Sequence, residues 1–138
     1  MILSNEYIAG FFDADGSIGV YARNNRKCYQ VCVAIANSGK HGEIICKELK
    51  DRYGGTVTYC KNKKSSHRPV FWWRINGAYV VEHFILDIVN YSIIKKDQLK
   101  LCLEYIRNWK KFPKRKTEQQ KEYAYKVTEE LKLMKKAC

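Results

Sequence analysis

Two aspartates one residue apart, Asp13 and Asp15, carry the strongest chemical signal in this 138-residue chain. They lie in the stretch Tyr7-Ile8-Ala9-Gly10-Phe11-Phe12-Asp13-Ala14-Asp15-Gly16-Ser17-Ile18. Ser4 in front of Ile8, Phe11 and Phe12 predicts a short capped helix that ends at Gly16. Ala9, Gly10 and Ala14 are small, and on a helix they would let a partner helix approach closely. Both aspartates then fall at the C-terminal end, where the macrodipole is negative and the last carbonyls lack intrahelical partners. A carboxylate beside such carbonyls is an oxygen site suited to Mg²⁺. An EF-hand loop does not fit, because glycine directly follows the second aspartate and no glutamate closes a twelve-residue loop. On the residues alone, the stretch is also compatible with a capped helix end bearing two solvated aspartates.

The elements that would position these groups follow from periodicity. Ser17–Asn25 alternates, with Ile18, Val20 and Ala22 on one face, and Cys28–Asn37 alternates again, with Val31, Val33 and Ile35 inward. Gln30, Cys32, Ala34 and Ala36 take the opposite face, so the two segments predict a hairpin with one buried and one open side. Ile44, Ile45, Leu49 and Tyr53 make a helix stopped at Gly54-Gly55. Thr56–Lys61 and Arg68–Asn76 predict a second hairpin around a basic loop. Helical spacing returns at Val81, Phe84, Ile85 and Ile88, at Leu99, Cys102, Leu103 and Ile106, and at Val127, Leu131 and Met134. The expectation is one α+β domain over residues 1–138, in the order helix, two strands, helix, two strands, helices.

Composition narrows the function. With 26 Lys+Arg against 14 Asp+Glu the formal charge is +12, which points to a polyanionic partner. The basic residues interleave with strand-like segments and form no single amphipathic helix, so nucleic acid fits better than an anionic membrane. No uncharged apolar run approaches the ~20 residues of a membrane span, and the N-terminus MILSNEY carries no secretory signal pattern. The six cysteines (Cys28, Cys32, Cys46, Cys60, Cys102 and Cys138) contain no Cys-x-x-Cys pair. Reduced thiols in an intracellular protein are therefore expected. His41, His67 and His83 are scattered and form no recognisable triad or zinc pattern.

The stretch Ile8 to Gly16 resembles the nine-residue signature of the LAGLIDADG homing endonucleases. Ala9, Gly10, Asp13, Ala14, Asp15 and Gly16 match, while Ile8, Phe11 and Phe12 are apolar replacements. The αββαββα order, the Gly54-Gly55 pair before the third strand, and a Lys-x-x-Gln element from Lys95 to Gln98 extend the resemblance over essentially the whole chain. It implies a metal-binding carboxylate at Asp15 assisted by the Ala14 carbonyl, with Mg²⁺ as the working ion and Mn²⁺ or Ca²⁺ able to replace it for binding. It further implies an active-site lysine at Lys95 and a water-ordering polar residue at Asn37. Lys40 or His41 would be the basic residue early in the following helix. A single signature copy implies a homodimer built on Ile8, Ala9, Gly10, Phe11 and Asp13, with Asp13 also bracing the helix end. Two-fold symmetry then implies a long pseudopalindromic double-stranded DNA target cut in both strands.

On such a fold the open face of the four-stranded antiparallel sheet would read the major groove. Tyr21, Arg23, Asn25 and Gln30 would serve on the first hairpin. Thr58, Arg68, Trp72 and Arg74 would serve on the second if Phe71, Trp73 and Ile75 point inward. Cys32, Ala34 and Ala36 are poor base readers, which leaves the target's centre to DNA shape. Lys61, Lys63 and Lys64, and a second cluster of Lys110, Lys111, Lys114, Arg115 and Lys116, would bind phosphates. The alternatives are an intron-RNA splicing maturase, using Lys126, Lys132, Lys135 and Lys136 of the last helix, and a non-catalytic DNA-binding relative.

Overall fold

The first helix, α1 (Asn5–Asp15), begins where Ser4 accepts a hydrogen bond from the Tyr7 amide at 3.1 Å. It passes without a linker into β1 (Gly16–Arg23). Gly16 stands at this junction for space: a Cβ there would lie 2.8 Å from the Phe12 carbonyl oxygen. The computed structural model describes residues 2–23, 28–60, 68–111 and 118–137. After β1 come β2 (Cys28–Ser38), α2 (Gly39–Tyr53), β3 (Thr56–Cys60) and β4 (Val70–Asn76). Three helices follow: α3 (Ala78–Ile88), α4 (Lys96–Lys110) and α5 (Glu118–Ala137).

The four strands form one antiparallel sheet in the order β1-β2-β4-β3. Ile18 pairs with Val33, Ile35 with Trp73, and Val57 with Trp73, so the inward residues fall in rows across the sheet. The helices bury this face. Phe12, Leu49, Phe84, Ile85, Ile88 and Leu99 close over it at 0–1% exposure, each side chain contributing about 1.5–3 kcal/mol by leaving water. Trp73 is wholly buried and still satisfied, because its indole N–H donates to the Gly54 carbonyl at 2.9 Å. That bond uses the turn after α2, where Gly54 sits at φ 79°, a conformation glycine adopts without penalty. Strand β1 lies at the sheet edge, and α5 covers it: the Thr128 hydroxyl donates to the Val20 carbonyl at 3.1 Å.

Element order and inward parity agree with the periodicity, and several details differ. β1 ends at Arg23, β2 runs to Ser38, β3 ends at Cys60 and β4 starts at Val70. Ala22 has the parity of Ile18 and Val20 but is exposed, as is Ile44 of α2, whose inward place is taken by Cys46. Phe71 and Leu103 are half-buried. Cys32, expected on the open face, is buried at 9% exposure. Among the described residues there is no disulfide; Cys32, Cys46 and Cys102 are buried thiols and Cys60 is exposed. No described helix is long and apolar enough to cross a membrane.

Candidate functional site

Two residues along an α-helix rotate a side chain by about 200°, so Asp13 and Asp15 leave α1 on opposite sides. Asp13 turns inward and is 8% exposed. Its carboxylate accepts from the amides of Ile93 at 2.7 Å, Ile94 at 3.1 Å and Lys95 at 3.2 Å, and from the Ser92 hydroxyl. It therefore holds the 92–95 segment that leads into α4 from a distant part of the chain. Burial by itself pushes the Asp13 pKa up, but the bonds from Ser92, Ile93, Ile94 and Lys95 together outweigh it and hold the carboxyl below the ordinary aspartate value.

Asp15 turns outward and is exposed. Its carboxylate accepts from the Asn37 side-chain amide at 2.9 Å. Asn37 sits next to the end of β2, where the chain turns into α2, and Gly42 packs beneath it. A Cβ at Gly42 would stand 2.7 Å from the Asn37 carbonyl carbon and oxygen, so not even a methyl group fits there without moving Asn37. Lys95 precedes α4, and its ammonium donates to the carbonyls of Gly16 and, at 3.2 Å, Phe12. It also lies 5.5 Å from the Phe12 ring centroid. A cation thus occupies the negative end of α1. Asp15, Asn37 and Lys95 come from three elements and meet at one helix end.

No group of three or more His, Cys, Asp or Glu side chains that could hold a metal occurs among the described residues. The local oxygen donors at the end of α1 are the Asp15 carboxylate and the terminal carbonyls, with Ala14 exposed beside them. That set suits a hard cation completing its shell with water and phosphate oxygens. Lys40 and His41 are both exposed in the first turn of α2.

The uncovered face of the sheet begins beside the site, with Ser17 two residues after Asp15 in β1 and Ala36 next to Asn37 in β2. Ser17, Ala34, Arg74 and Thr56 form one row across the four strands, and Ala36, Trp72 and Thr58 form the next. The Arg74 guanidinium stacks toward the Trp72 ring, 5.8 Å from its centroid. The Tyr21 ring folds over Gly19, 2.7 Å from where a Cβ would stand, and the Lys135 ammonium of α5 lies 5.9 Å from that ring. A groove of about 310 Å³ runs between Ser17, Tyr21, Trp72, Arg74 and Asn76.

Tyr21, Thr58, Trp72 and Arg74 therefore lie exposed on the open face, and Gln30 lies there half-buried. Ser17 and Asn76 are further polar residues of this face, legible from the same alternation. Arg68 lies outside β4 and packs against Gly39 at the start of α2. Lys110 is engaged within the chain, paired with Glu82 at 2.8 Å and set over the Tyr79 ring at 4.1 Å. Lys111 is exposed. Asn25, Lys61, Lys63, Lys64, Lys114, Arg115 and Lys116 lie outside the described residues, as does the side chain of Arg23.

The outer face of α1 differs from the expected interface set. Ile8 and Ala9 are buried in this chain's own core at 1% and 0% exposure, and the Asp13 carboxylate is taken up by the chain's own 92–95 segment. Ile8 and Phe12 are four residues apart, so the side that meets the sheet claims them together. The uncovered positions are Tyr7, Gly10 and Ala14, with Phe11 half-covered and stacked on Tyr7 at 6.2 Å. Nothing lies within 4 Å of a Cβ built at Gly10.

No family model matches the chain. Its fold is that of the LAGLIDADG homing endonucleases. The homing endonuclease I-CvuI, in complex with its target in the presence of Ca, superposes with a TM-score of 0.72 at 23% identity, over 94% of this chain and 80% of that one. The homing endonuclease I-TnaI matches at 0.71 and 14% identity, over 99% of each chain. The LAGLIDADG homing endonuclease I-GzeII, in complex with a DNA target, matches at 0.65 and 16% identity, over 97% of this chain and 44% of that one.

Proposed function

We propose that this chain is a site-specific DNA endonuclease that works as a homodimer and hydrolyses one phosphodiester in each strand of a long pseudopalindromic duplex, assisted by a divalent metal, Mg²⁺ by preference. The observation that carries the reading is the meeting of Asp15, Asn37 and Lys95 at the point where α1 runs into an open, polar sheet face on a +12 chain. I-CvuI and I-GzeII, which share the fold, are seen with DNA targets. Such a role lies inside a cell, where genomic DNA is.

The chain's own residues divide the work by position. Asp15, with the Ala14 carbonyl, would hold the ion; when bound, it lowers the pKa of water and polarises the phosphate. Asn37 donates to Asp15 and fixes the carboxylate's rotamer, and its remaining amide valences are available to order water. Lys95 brings a positive charge to the α1 terminus, where negative charge develops on the phosphate in the transition state. Arg74, steadied by Trp72, suits guanine, and Asn76 suits adenine, each good bidentate pair being worth roughly 1–3 kcal/mol.

One carboxylate site per chain cuts one strand, so two copies are needed for both. The uncovered face of α1, small at Gly10 and Ala14 and aromatic at Tyr7 and Phe11, is the surface for a second copy, whose two-fold axis would bring both Asp15 sites to the middle of one duplex. The span of 44% of the I-GzeII chain fits one half of a two-unit assembly. The intron-RNA alternative draws less support: Lys135 sits beside Tyr21 at the margin of the sheet face, and Lys126 and Lys132 pair with Glu122 and Glu129 along α5.

The test is incubation of the purified chain with a pool of long pseudopalindromic duplexes and Mg²⁺, followed by sequencing of the ends. Paired ends related by a two-fold axis are the expected product. Binding without cutting would favour the non-catalytic relative, and selective binding of intron RNA alone would favour the maturase. Gly10→Glu belongs in the same experiment. The space over Gly10 is open and glutamate is the better helix former, so the variant folds. Two charges pressed between the helices should leave a monomer by sedimentation that cuts neither strand. A dimeric, cutting Gly10→Glu protein would remove α1 from the interface.

A further inference from the structure

We propose that the middle of the open sheet face reads the 5-methyl groups of pyrimidines in the major groove, with Trp72, Ala36 and Ala34 as the reading residues. The proposal rests on the DNA-endonuclease reading above and names what its recognition surface takes at its apolar rows.

The observation is an apolar strip placed where donors and acceptors are expected. Ala36 and Trp72 are direct cross-strand partners, and Thr58 pairs with Trp72 from the other side. Ala34 lies in the adjoining row, opposite Ser17 and Arg74. Ala34 and Ala36 are spaced two residues along one strand, about 7 Å apart, which matches about two steps of stacked base pairs. Trp72 is 37% exposed, whereas Trp73 and Ile75, which alternate with it along β4, are buried on the opposite face. An indole, two methyl side chains and the Thr58 methyl therefore project from the centre of a face whose margins are polar and basic.

Phosphates would not be drawn to such a strip, and its two alanines, Ala34 and Ala36, offer no side-chain hydrogen bond for a base edge. The apolar feature that the major groove presents is the C5-methyl of thymine, for which alanine, threonine methyls and aromatic rings are the fitting partners. A 5-methylcytosine offers the same group. Arg74 sits one row away and is held toward Trp72, so the geometry points to a methyl-bearing pyrimidine beside a guanine in each half-site. Apolar residues that look like poor base readers in the sequence thus acquire a ligand, because β4 places an exposed tryptophan directly across from them.

The experiment selects bound duplexes, in Ca²⁺, from three random pools: one with ordinary thymine, one with deoxyuridine in its place, and one with 5-methylcytosine replacing cytosine. The thymine pool should return a word with thymine at a pair of positions symmetric about the centre. In the deoxyuridine pool that preference should vanish, with affinity falling about four-fold for each methyl group lost and about fifteen-fold for the pair. Enrichment of 5-methylcytosine at those positions would show that the methyl itself is read, and enrichment of thymine alone would assign it to thymine. Trp72→Gln, an exposed position, should erase the difference between the thymine and deoxyuridine pools. The same word and affinity from both pools, or discrimination that survives in Trp72→Gln, would overturn the proposal while leaving the endonuclease reading standing. No word from any pool would overturn that reading as well.

Discussion

Asp15→Asn should lower DNA cutting by about a thousand-fold or more while leaving DNA binding and melting temperature close to those of the parent chain. Asp15 is exposed, so its charge is not required for packing, and the replacement amide keeps an oxygen that can accept from Asn37. What is lost is the negative charge among the terminal carbonyls of α1, and with it the means to hold a divalent ion. A metal contributes several kcal/mol to phosphoryl transition states, and about 4 kcal/mol corresponds to a thousand-fold. Single-turnover cutting of a selected duplex in Mg²⁺, beside binding of the same duplex in Ca²⁺, separates the two. Equal loss of binding and cutting would make Asp15 a fold or contact residue instead.

The second large effect lies two residues earlier and has the opposite character. Asp13→Ala should destabilise the chain by about 3–5 kcal/mol, or roughly 10–20 °C in melting temperature. The carboxylate is placed at the negative end of its own helix, an arrangement unfavourable by about 0.3–1 kcal/mol. Three backbone N–H bonds from the 93–95 segment ahead of α4 and one from Ser92 outweigh that cost, since hydrogen bonds to charged groups each contribute about 1.5–3 kcal/mol. Truncation leaves those donors without their acceptor and loosens Lys95, whose amide is one of them. Cutting should therefore fall even below the melting transition.

The pH dependence follows from the direction of the shift. The folded-state pKa of Asp13 is depressed, so its stabilisation is complete above the unfolded value of about 3.9 and is lost as pH falls through the lower folded value. The melting-temperature gap between the parent chain and Asp13→Ala should be constant from neutral pH down to about 5 and narrow below 4. A gap that does not change with pH would mean that the stabilisation is not electrostatic.

Much of this protein is written locally. Ser4, the helical spacing of Ile8 and Phe12, and Gly16 determine α1; alternation in Ser17–Val20 and Val31–Ile35 determines which side of the hairpin is buried; and Gly54 stops α2. These are short-range effects of propensity and period; for β4 alternation left the parity conditional, and the structure sets Trp73 and Ile75 inward and Trp72 and Arg74 outward. The charge of +12 required no fold to be read. Asp13 and Asp15 were visible as a pair, and their separation by about 200° was implicit in the helix.

Tertiary structure decided the rest. That Asn37 reaches Asp15 across 22 residues, and that Lys95 closes the end of α1 from 80 residues after Asp15, depends on how β2 and the 92–95 segment pack, and no local pattern encodes it. Ile8 and Ala9 were available to either a partner helix or the chain's own core, and they are buried in the core that holds Ile18, Val33 and Ile35. Asp13 went inward because the Ser92 hydroxyl and the amides of the 93–95 segment ahead of α4 lay within reach. The sequence by itself determined which residues carry charge, shape and periodicity; only three-dimensional packing, where hydrogen-bond donors seek acceptors regardless of chain distance, decided which of them meet.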